Sequence, residues 1–207
     1  MLLNNENHFP QSFLLKETMS TEVSGSSKHA DSILWEEFKL GDELAFVKIY
    51  KRHANMLINY GCQFTKDREL VKDCLQDFFI YLRKSRKGLG RTNSIKMYLF
   101  KAFRRRVIDY LKKDTKANRQ SEAFSLVAFA VELCSESIYI NRQIEAEQLN
   151  RLNAGLRCLN EKEREAIYCF YYECLSYEEI ATILGYTHTH SARRLIYRAL
   201  SKLRKFF

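Results

Sequence analysis

The sequence predicts an all-α protein built from two small helical domains joined by a linker. Three observations carry that expectation. Seven Gly and one Pro in 207 residues leave little turn chemistry for a many-stranded sheet. Apolar residues recur at spacings of three and four along most of the chain, the period of a helix with one buried face. A content of 46% apolar and 13% aromatic residues is enough to bury cores. One core usually serves about 100 to 200 residues, so this length suits one large domain or two small ones, and two small ones are expected.

Residues 1–30 are polar, rich in Ser, Thr and Asn, and lack a sustained period, so they are expected to form a mobile tail. A first domain is expected over 31–113. Its opening helices carry Ile33, Leu34 and Phe38, then Ala45, Phe46, Ile49 and Tyr50, then Met56, Leu57 and Tyr60 on their apolar faces. Lys66, Asp67 and Arg68 break the pattern. Leu70, Val71, Cys74, Leu75, Phe78, Phe79 and Leu82 form the next stripe, which ends in the run Arg83 to Ser94 with Gly88 and Gly90. A last helix of this half runs from about Ile95 to Lys113. Residues 114–144 have apolar side chains without a clean period and read as a linker.

The second domain is expected over 145–207. Ile144, Leu149, Leu152, Leu156 and Leu159 make a helical stripe leading into it. Asn160 and Glu163 then form a capping box, with Ala166, Ile167, Phe170 and Tyr171 as the buried face that follows. Ser176 and Glu179 repeat the box ahead of Ile180, Ala181, Ile183 and Leu184. Gly185 marks a turn, and a longer helix follows with Leu195, Ala199, Leu200, Leu203 and Phe206 toward the core. Capped helix, Gly turn and longer helix together make a helix-turn-helix pattern.

Charge is unevenly spread. The net charge of +9 and pI of about 9.2 favour a polyanionic partner and exclude an acidic solvating chain. Residues 83–119 hold 14 basic and 2 acidic side chains, 120–179 hold 5 and 11, and 180–207 hold 6 and none. Two basic blocks flanking an acidic one suggest two surfaces that meet a polyanion. The six cysteines (62, 74, 134, 158, 169 and 174) form no CxxC pair and read as small core residues of a reduced compartment. Leu2 and Leu3 are followed by Asn-Asn-Glu-Asn, too polar for a signal peptide, and no run of 18 apolar residues follows. A cytoplasmic protein with no membrane insertion is expected.

In the helix-turn-helix, His188, Thr189, His190, Arg193, Arg194 and Arg198 lie near the start and outer side of the second helix, the cationic end that a major groove admits. Arginine pairs bidentately with guanine or contacts phosphate, and the sequence does not say which of these arginines does which. The histidines either donate to DNA or cover the turn. In the first domain, Tyr98, Leu99, Ala102, Phe103, Val107 and Tyr110 alternate with Lys101, Arg104, Arg105 and Arg106. Interleaved aromatics and cations suit unstacked nucleic acid, and the same aromatics equally suit a core.

No catalytic constellation is visible. Gly88-Leu-Gly90-Arg91 lacks the Gly-Lys-Ser/Thr ending of a phosphate-binding loop. His188 and His190 stand with Cys169 and Cys174 at spacings of no standard zinc module. Asp73 and Asp77, one turn apart, suit either a metal-dependent nuclease or a partner-binding surface. No catalytic residue, metal or cofactor is expected, and a stand-alone helix-turn-helix regulator of transcription is the nearest rival reading.

The motifs narrow the choice. Asp73-Cys-Leu-Gln-Asp-Phe-Phe79 resembles the Asp-Leu-Val-Gln-Glu-Val-Phe signature of bacterial sigma factors of the sigma-70 family. Tyr98-Leu99, Arg104 and Asp109-Tyr-Leu-Lys-Lys113 resemble that family's Trp-Leu, Arg-Asn and Asp-Tyr-Leu-Arg-Arg helix. Ser176 to Arg204 resembles its C-terminal Leu-Ser-Tyr-x-Glu-Ile-Ala helix-turn-helix. The chain departs from the pattern at Tyr98, Arg105 and Ser191, where the family commonly has Trp, Asn and Val. The spacing leaves no room for a middle domain, so the small extracytoplasmic-function group fits best.

The resemblance implies a region 2-like bundle and a region 4-like helix-turn-helix. Asp73, Gln76, Asp77 and Phe78 would bind core RNA polymerase. Arg91, Asn93, Lys101, Arg104, Arg105, Arg106, Lys112 and Lys113 would meet the minus 10 element of promoter DNA and assist its melting. The stretch Gly88 to Ser94 occupies the family's loop for a flipped base, whose extrusion costs a few kcal/mol. His188, Thr189, His190, Arg193, Arg194 and Arg198 would meet the minus 35 element. An anti-sigma factor is a further expected partner.

Overall fold

The computed structural model describes residues 24–117 and 146–207, which fall into two compact units. Among the described residues every regular element is helical. The expected linker and tail lie outside these residues except at their edges.

The first unit contains α1 (Ser24–Leu40), α2 (Glu43–Gly61), α3 (Arg68–Ser85) with a 3₁₀ turn at Arg86–Gly88, and α4 (Ile95–Ala117). Helix α1 begins seven residues before Asp31, inside the stretch expected to be a tail, and α4 runs four residues past Lys113. Polar residues carry no apolar stripe and yet continue a helix readily, so periodicity underestimates both ends. Asp42 starts α2 by accepting hydrogen bonds from the backbone N–H of Leu44 at 2.7 Å and Ala45 at 3.3 Å. Asp67, in the predicted break, does the same for α3 through Leu70 at 3.0 Å.

The start of α4 is satisfied both locally and from a distance. Ser94 Oγ accepts the Met97 N–H at 3.3 Å, and Asp31 Oδ2, from α1, accepts the Ile95 N–H at 3.0 Å. The other oxygen of Asp31 meets Arg52 of α2 at 3.3 Å. Trp35, Leu57, Tyr60, Leu99, Phe100 and Phe103 are fully buried in the core these helices share. Burying each such side chain contributes roughly 1.5–3 kcal/mol. Of the predicted α1 stripe Phe38 is buried and Leu34 half-buried, but Ile33 is 47% exposed, and the chain's single Trp takes the inward position beside them.

Helices α2, α3 and α4 meet at Gly61. A Cβ built there would lie 2.5 Å from Val71 Cγ1 and 3.3 Å from Phe103 Cε1, both buried. His53 is also buried, and its Nε2 has no hydrogen-bond partner. Burial lowers its pKa to about 4, with Arg52 and Lys96 pushing the same way against Asp31, so the imidazole is neutral at pH 7.

The second unit contains α5 (Ala146–Arg157), α6 (Glu161–Ile167), α7 (Tyr177–Leu184) and α8 (Thr189–Leu203), closed by a 3₁₀ turn at Arg204–Phe206. Both predicted capping boxes are formed, at Asn160 with Glu163 and at Ser176 with Glu179. Helix α6 does not continue regularly. It widens into a π turn over Tyr168–Tyr172, with the Glu173 N–H reaching the Tyr168 carbonyl at 3.2 Å. The wider turn rotates the following side chains, so Tyr168 and Cys169 are buried while the expected inward residues Phe170 and Tyr171 are only half-buried.

The junction at Gly61 tests the packing directly. Helix propensity favours Gly61→Ala by about 1 kcal/mol, but overlap with Val71 costs about 1–3 kcal/mol. The substitution is expected to lower the thermal midpoint followed by circular dichroism. An unchanged or raised midpoint would mean that α2 and α3 pack more loosely than described.

Candidate nucleic-acid interface

Three surfaces deserve separate construction: the outer face of α3, the basic helix α4 with its preceding loop, and the helix-turn-helix. On α3 the buried positions are Val71, Cys74, Leu75, Phe78, Phe79 and Leu82. Asp73, Gln76 and Asp77 therefore face solvent, continued along the helix by Ile80 and Tyr81, 43% and 50% exposed. Phe78 belongs to the other face. It is 2% exposed, with its ring 5.5 Å from that of Phe103, so the sequence-based expectation that it touches a partner is corrected. Burial pushes the Cys74 thiol up to about 11, which makes it an inert core group.

On α4 the interleaved pattern separates by depth. Leu99, Phe103 and Val107 are fully buried and serve packing. Lys101, Arg105, Lys112 and Lys113 are exposed, and Arg104 and Arg106 are half-buried. The Arg106 guanidinium lies 5.3 Å from the centre of the Tyr81 ring. Tyr81 comes from α3, so the aromatic that joins the cationic face is not one of the α4 residues in the sequence pattern. Tyr98 is partly buried with its ring 4.7 Å from Trp35, and burial raises the pKa of its phenol, with Tyr81 adding to the effect.

The loop before α4 is pinned by Trp35, whose indole N–H donates to the Gly90 carbonyl at 2.8 Å. Thr92 and Ser94 brace its far end through a side-chain to backbone pair. Arg91 and Asn93 project from it into solvent.

In the second unit one carboxylate organises the helix-turn-helix. Glu163 is fully buried. Its Oε2 accepts the Asn160 N–H at 3.0 Å and Lys202 Nζ at 2.8 Å, and its Oε1 accepts Arg198 Nε at 2.9 Å. Burial alone would push this carboxyl up. Hydrogen bonds from Lys202, from Asn160 and from Arg198, with the Lys202 charge, outweigh burial and hold it below the usual carboxylate range. The capping box was legible in the sequence; that the same Glu also clamps α8 was not.

The turn between α7 and α8 closes at Gly185, in the left-handed conformation at φ 76°. Helix α8 buries Ala192, Leu195, Ile196, Ala199 and Leu203. His188, Thr189, His190, Arg193, Arg194 and Arg198 are all exposed, as is Tyr197 at 43%. The His188 and His190 rings stack at 5.2 Å, 12° from parallel. Arg193 lies over two rings, Tyr177 at 6.0 Å and Tyr197 at 5.5 Å, and Tyr177 in turn stacks on Phe170 at 4.9 Å. Among the described residues no group of three His, Cys, Asp or Glu side chains is placed to hold a metal ion, and no helix is long and apolar enough to cross a membrane.

These features define a helical nucleic-acid-binding protein with two cationic surfaces, one of them a helix-turn-helix. Two family models match the chain: Sigma-70 region 2 over residues 49–117 and Sigma-70 region 4 over 155–205, together more than half of its length. The chain belongs to the sigma-70 family, in its extracytoplasmic-function group, and is a sigma factor that directs RNA polymerase in transcription initiation. It is similar to RNA polymerase sigma factor YlaC of Bacillus subtilis (strain 168), 23% identical over 167 residues that cover 76% of this chain and 92% of the relative. It is also similar to ECF RNA polymerase sigma factor SigM of the same organism, 25% identical over 162 residues, covering 77% and 93%. Two solved structures share the fold. CnrH in complex with the cytosolic domain of CnrY has a TM-score of 0.58 at 22% identity, covering 85% of this chain and 96% of that one. The sigma factor RpoE in complex with the anti-sigma factor NepR, from Bartonella quintana, has a TM-score of 0.56 at 18% identity, covering 78% and 95%.

Glu163→Gln tests the clamp. Because the folded carboxyl titrates below its ordinary value, its stabilisation is fully present above the unfolded pKa near 4.5. It is lost as pH falls through the folded value. The Gln variant is expected to be less stable by about 1–3 kcal/mol at pH 7 and to lose less stability than the parent on acidification below about pH 4.5. Denaturant melts across that range read both effects, and parallel acid limbs for the two proteins would refute the clamp.

Proposed function

We propose that the two units divide the work of initiation by the charge of their outer faces. The observation that carries this reading is that the first unit exposes two carboxylates one turn apart on α3, whereas cations predominate on the exposed side of α4. Asp73 and Asp77 stand on the exposed side of α3, and Lys101, Arg105, Lys112 and Lys113 on α4. Paired carboxylates repel phosphate, so Asp73 and Asp77 suit a protein partner, whereas the cationic helix suits DNA. Asp73, Gln76 and Asp77 bind core RNA polymerase in this reading, with Ile80 and Tyr81 supplying the apolar part of the contact that buried Phe78 cannot.

Arg91 and Asn93 on the pinned loop, with Lys101, Arg104, Arg105, Arg106, Lys112 and Lys113 on α4, take the minus 10 element and its opened strand. His188, Thr189, His190, Arg193 and Arg194 take the minus 35 element, and Arg198 on the same helix is bonded inward to Glu163. The limits inferred from the sequence, 31–113 and 145–207 with a linker at 114–144, describe these two working parts, and α1 extends the first back to Ser24. The protein supplies recognition and melting, and the bond-forming chemistry belongs to the polymerase. It works in the cytoplasm. An anti-sigma factor restrains it, a reading supported by the complex with NepR in which one of its structural neighbours was solved.

Transcription in vitro from a promoter library, with core RNA polymerase and either the parent or the Asp73→Ala/Asp77→Ala variant, is the deciding experiment. The expected result is protein-dependent transcripts that share two upstream elements, reduced at least about 10-fold in the variant, a loss of about 1.4 kcal/mol of binding. Both residues are exposed, so the variant is expected to keep the parental melting temperature. Sequence-specific binding to duplex DNA without any dependence on core polymerase would instead identify a stand-alone regulator.

A further inference from the structure

We infer that Arg194 is the base-reading arginine of α8, that Arg193 is a phosphate anchor, and that Arg198 is a structural tie. This rests on the reading of α7 and α8 as the minus 35 helix-turn-helix. The three residues are neighbours in sequence and alike in chemistry, but they leave the helix in different directions. The buried row Ala192, Leu195, Ile196, Ala199 and Leu203 sets the inward side. At 3.6 residues per turn, His190 and Arg194 point about 160° and 200° away from it, straight out of the domain. Arg193 leaves at about 100°, on the flank of α7, and Arg198 on the opposite flank.

The contacts agree with the directions. Arg198 Nε is bonded to the buried Glu163 at 2.9 Å, so this side chain ties α8 to α6. Arg193 is drawn toward the first residue of α7 by the Tyr177 ring and steadied by Tyr197, whose hydroxyl accepts from its Nη2 at 3.5 Å. The first helix of a helix-turn-helix crosses the DNA backbone while the second lies in the major groove. A guanidinium parked beside the start of α7 therefore meets phosphate, where contacts add affinity and no sequence choice. Arg194 has no ion pair or ring contact among the described residues. Its full fork of donors is available in the groove, where it matches O6 and N7 of guanine. Arg194 accordingly determines specificity for one G·C pair of the upstream element.

The test uses the full chain with core polymerase on promoters whose upstream element is randomised, at several salt concentrations, with Arg194→Ala, Arg194→Lys and Arg193→Ala. The parent is expected to select a G·C pair at one position. Arg194→Ala is expected to lose that preference by roughly 10- to 100-fold while keeping the other positions, and Arg194→Lys, which keeps the charge without the planar fork, to retain part of it. The Lys variant keeps the parental salt dependence, which separates lost readout from lost charge. Arg193→Ala is expected to weaken binding evenly across the library and to make the slope of log affinity against log salt shallower by about 1. A parental base preference in Arg194→Ala, or a position-specific loss in Arg193→Ala, would overturn the assignment while leaving the helix-turn-helix reading intact. A parent that selects no upstream element at all would overturn the assignment together with that reading.

Discussion

A helix that carries a dense row of cations repels itself and every other cationic element near it, and α4 and α8 are both of that kind. Each is held by an apolar row on one side and by a carboxylate brought from elsewhere in the chain. For α4 the carboxylate is Asp31, which accepts the Ile95 N–H and meets Arg52. For α8 it is Glu163, which takes Arg198 and Lys202 together. The two solutions differ in burial. The Asp31 side chain stays 13% exposed and acts at a helix start, where a negative charge also favours the helix dipole. Glu163 is fully buried, and it is tolerable there because backbone and side-chain donors meet both of its oxygens.

This arrangement explains why the cationic surfaces are not uniformly available. Of the basic residues on α8, Arg198 and Lys202 spend hydrogen bonds inward, and Arg193 is steadied by aromatic rings. On α4, Arg106 is steadied by Tyr81. What remains outward is a smaller set than the sequence count of cations suggests, but each member leaves from a helix whose position is fixed. A recognition arginine gains from that, since bidentate pairing with a base edge tolerates little error in the backbone that presents it.

Much of this was legible in the sequence because it was written in local rules. Both capping boxes, the left-handed Gly185 and the apolar stripes of α3 and α8 follow from residue types at short spacings. The parts that were not legible arise from geometry between distant residues. The π turn at Tyr168–Tyr172 shifts Phe170 and Tyr171 away from their expected inward side, and nothing in their spacing announces it. Phe78 was already in the α3 stripe by its spacing, and only the motif resemblance offered it to a partner. Trp35 replaces Ile33 on the inner face of α1 because its indole N–H finds the Gly90 carbonyl 55 residues away. That Tyr81 would lie beside Arg106 was not legible, because the basic pattern was confined to the next helix.

Trp35 also shows how the core and the loop before α4 are made one object. A buried indole must find a partner for its N–H, since an unpaired buried donor costs about 1–3 kcal/mol. The partner here is a carbonyl of the loop that presents Arg91 and Asn93, so the demand of the core for satisfaction holds the loop in place. His53 shows another solution: among the described residues its Nε2 has no partner, and burial keeps the imidazole neutral. At the loop the corresponding donor is paired, and that pairing fixes the backbone that presents Arg91 and Asn93.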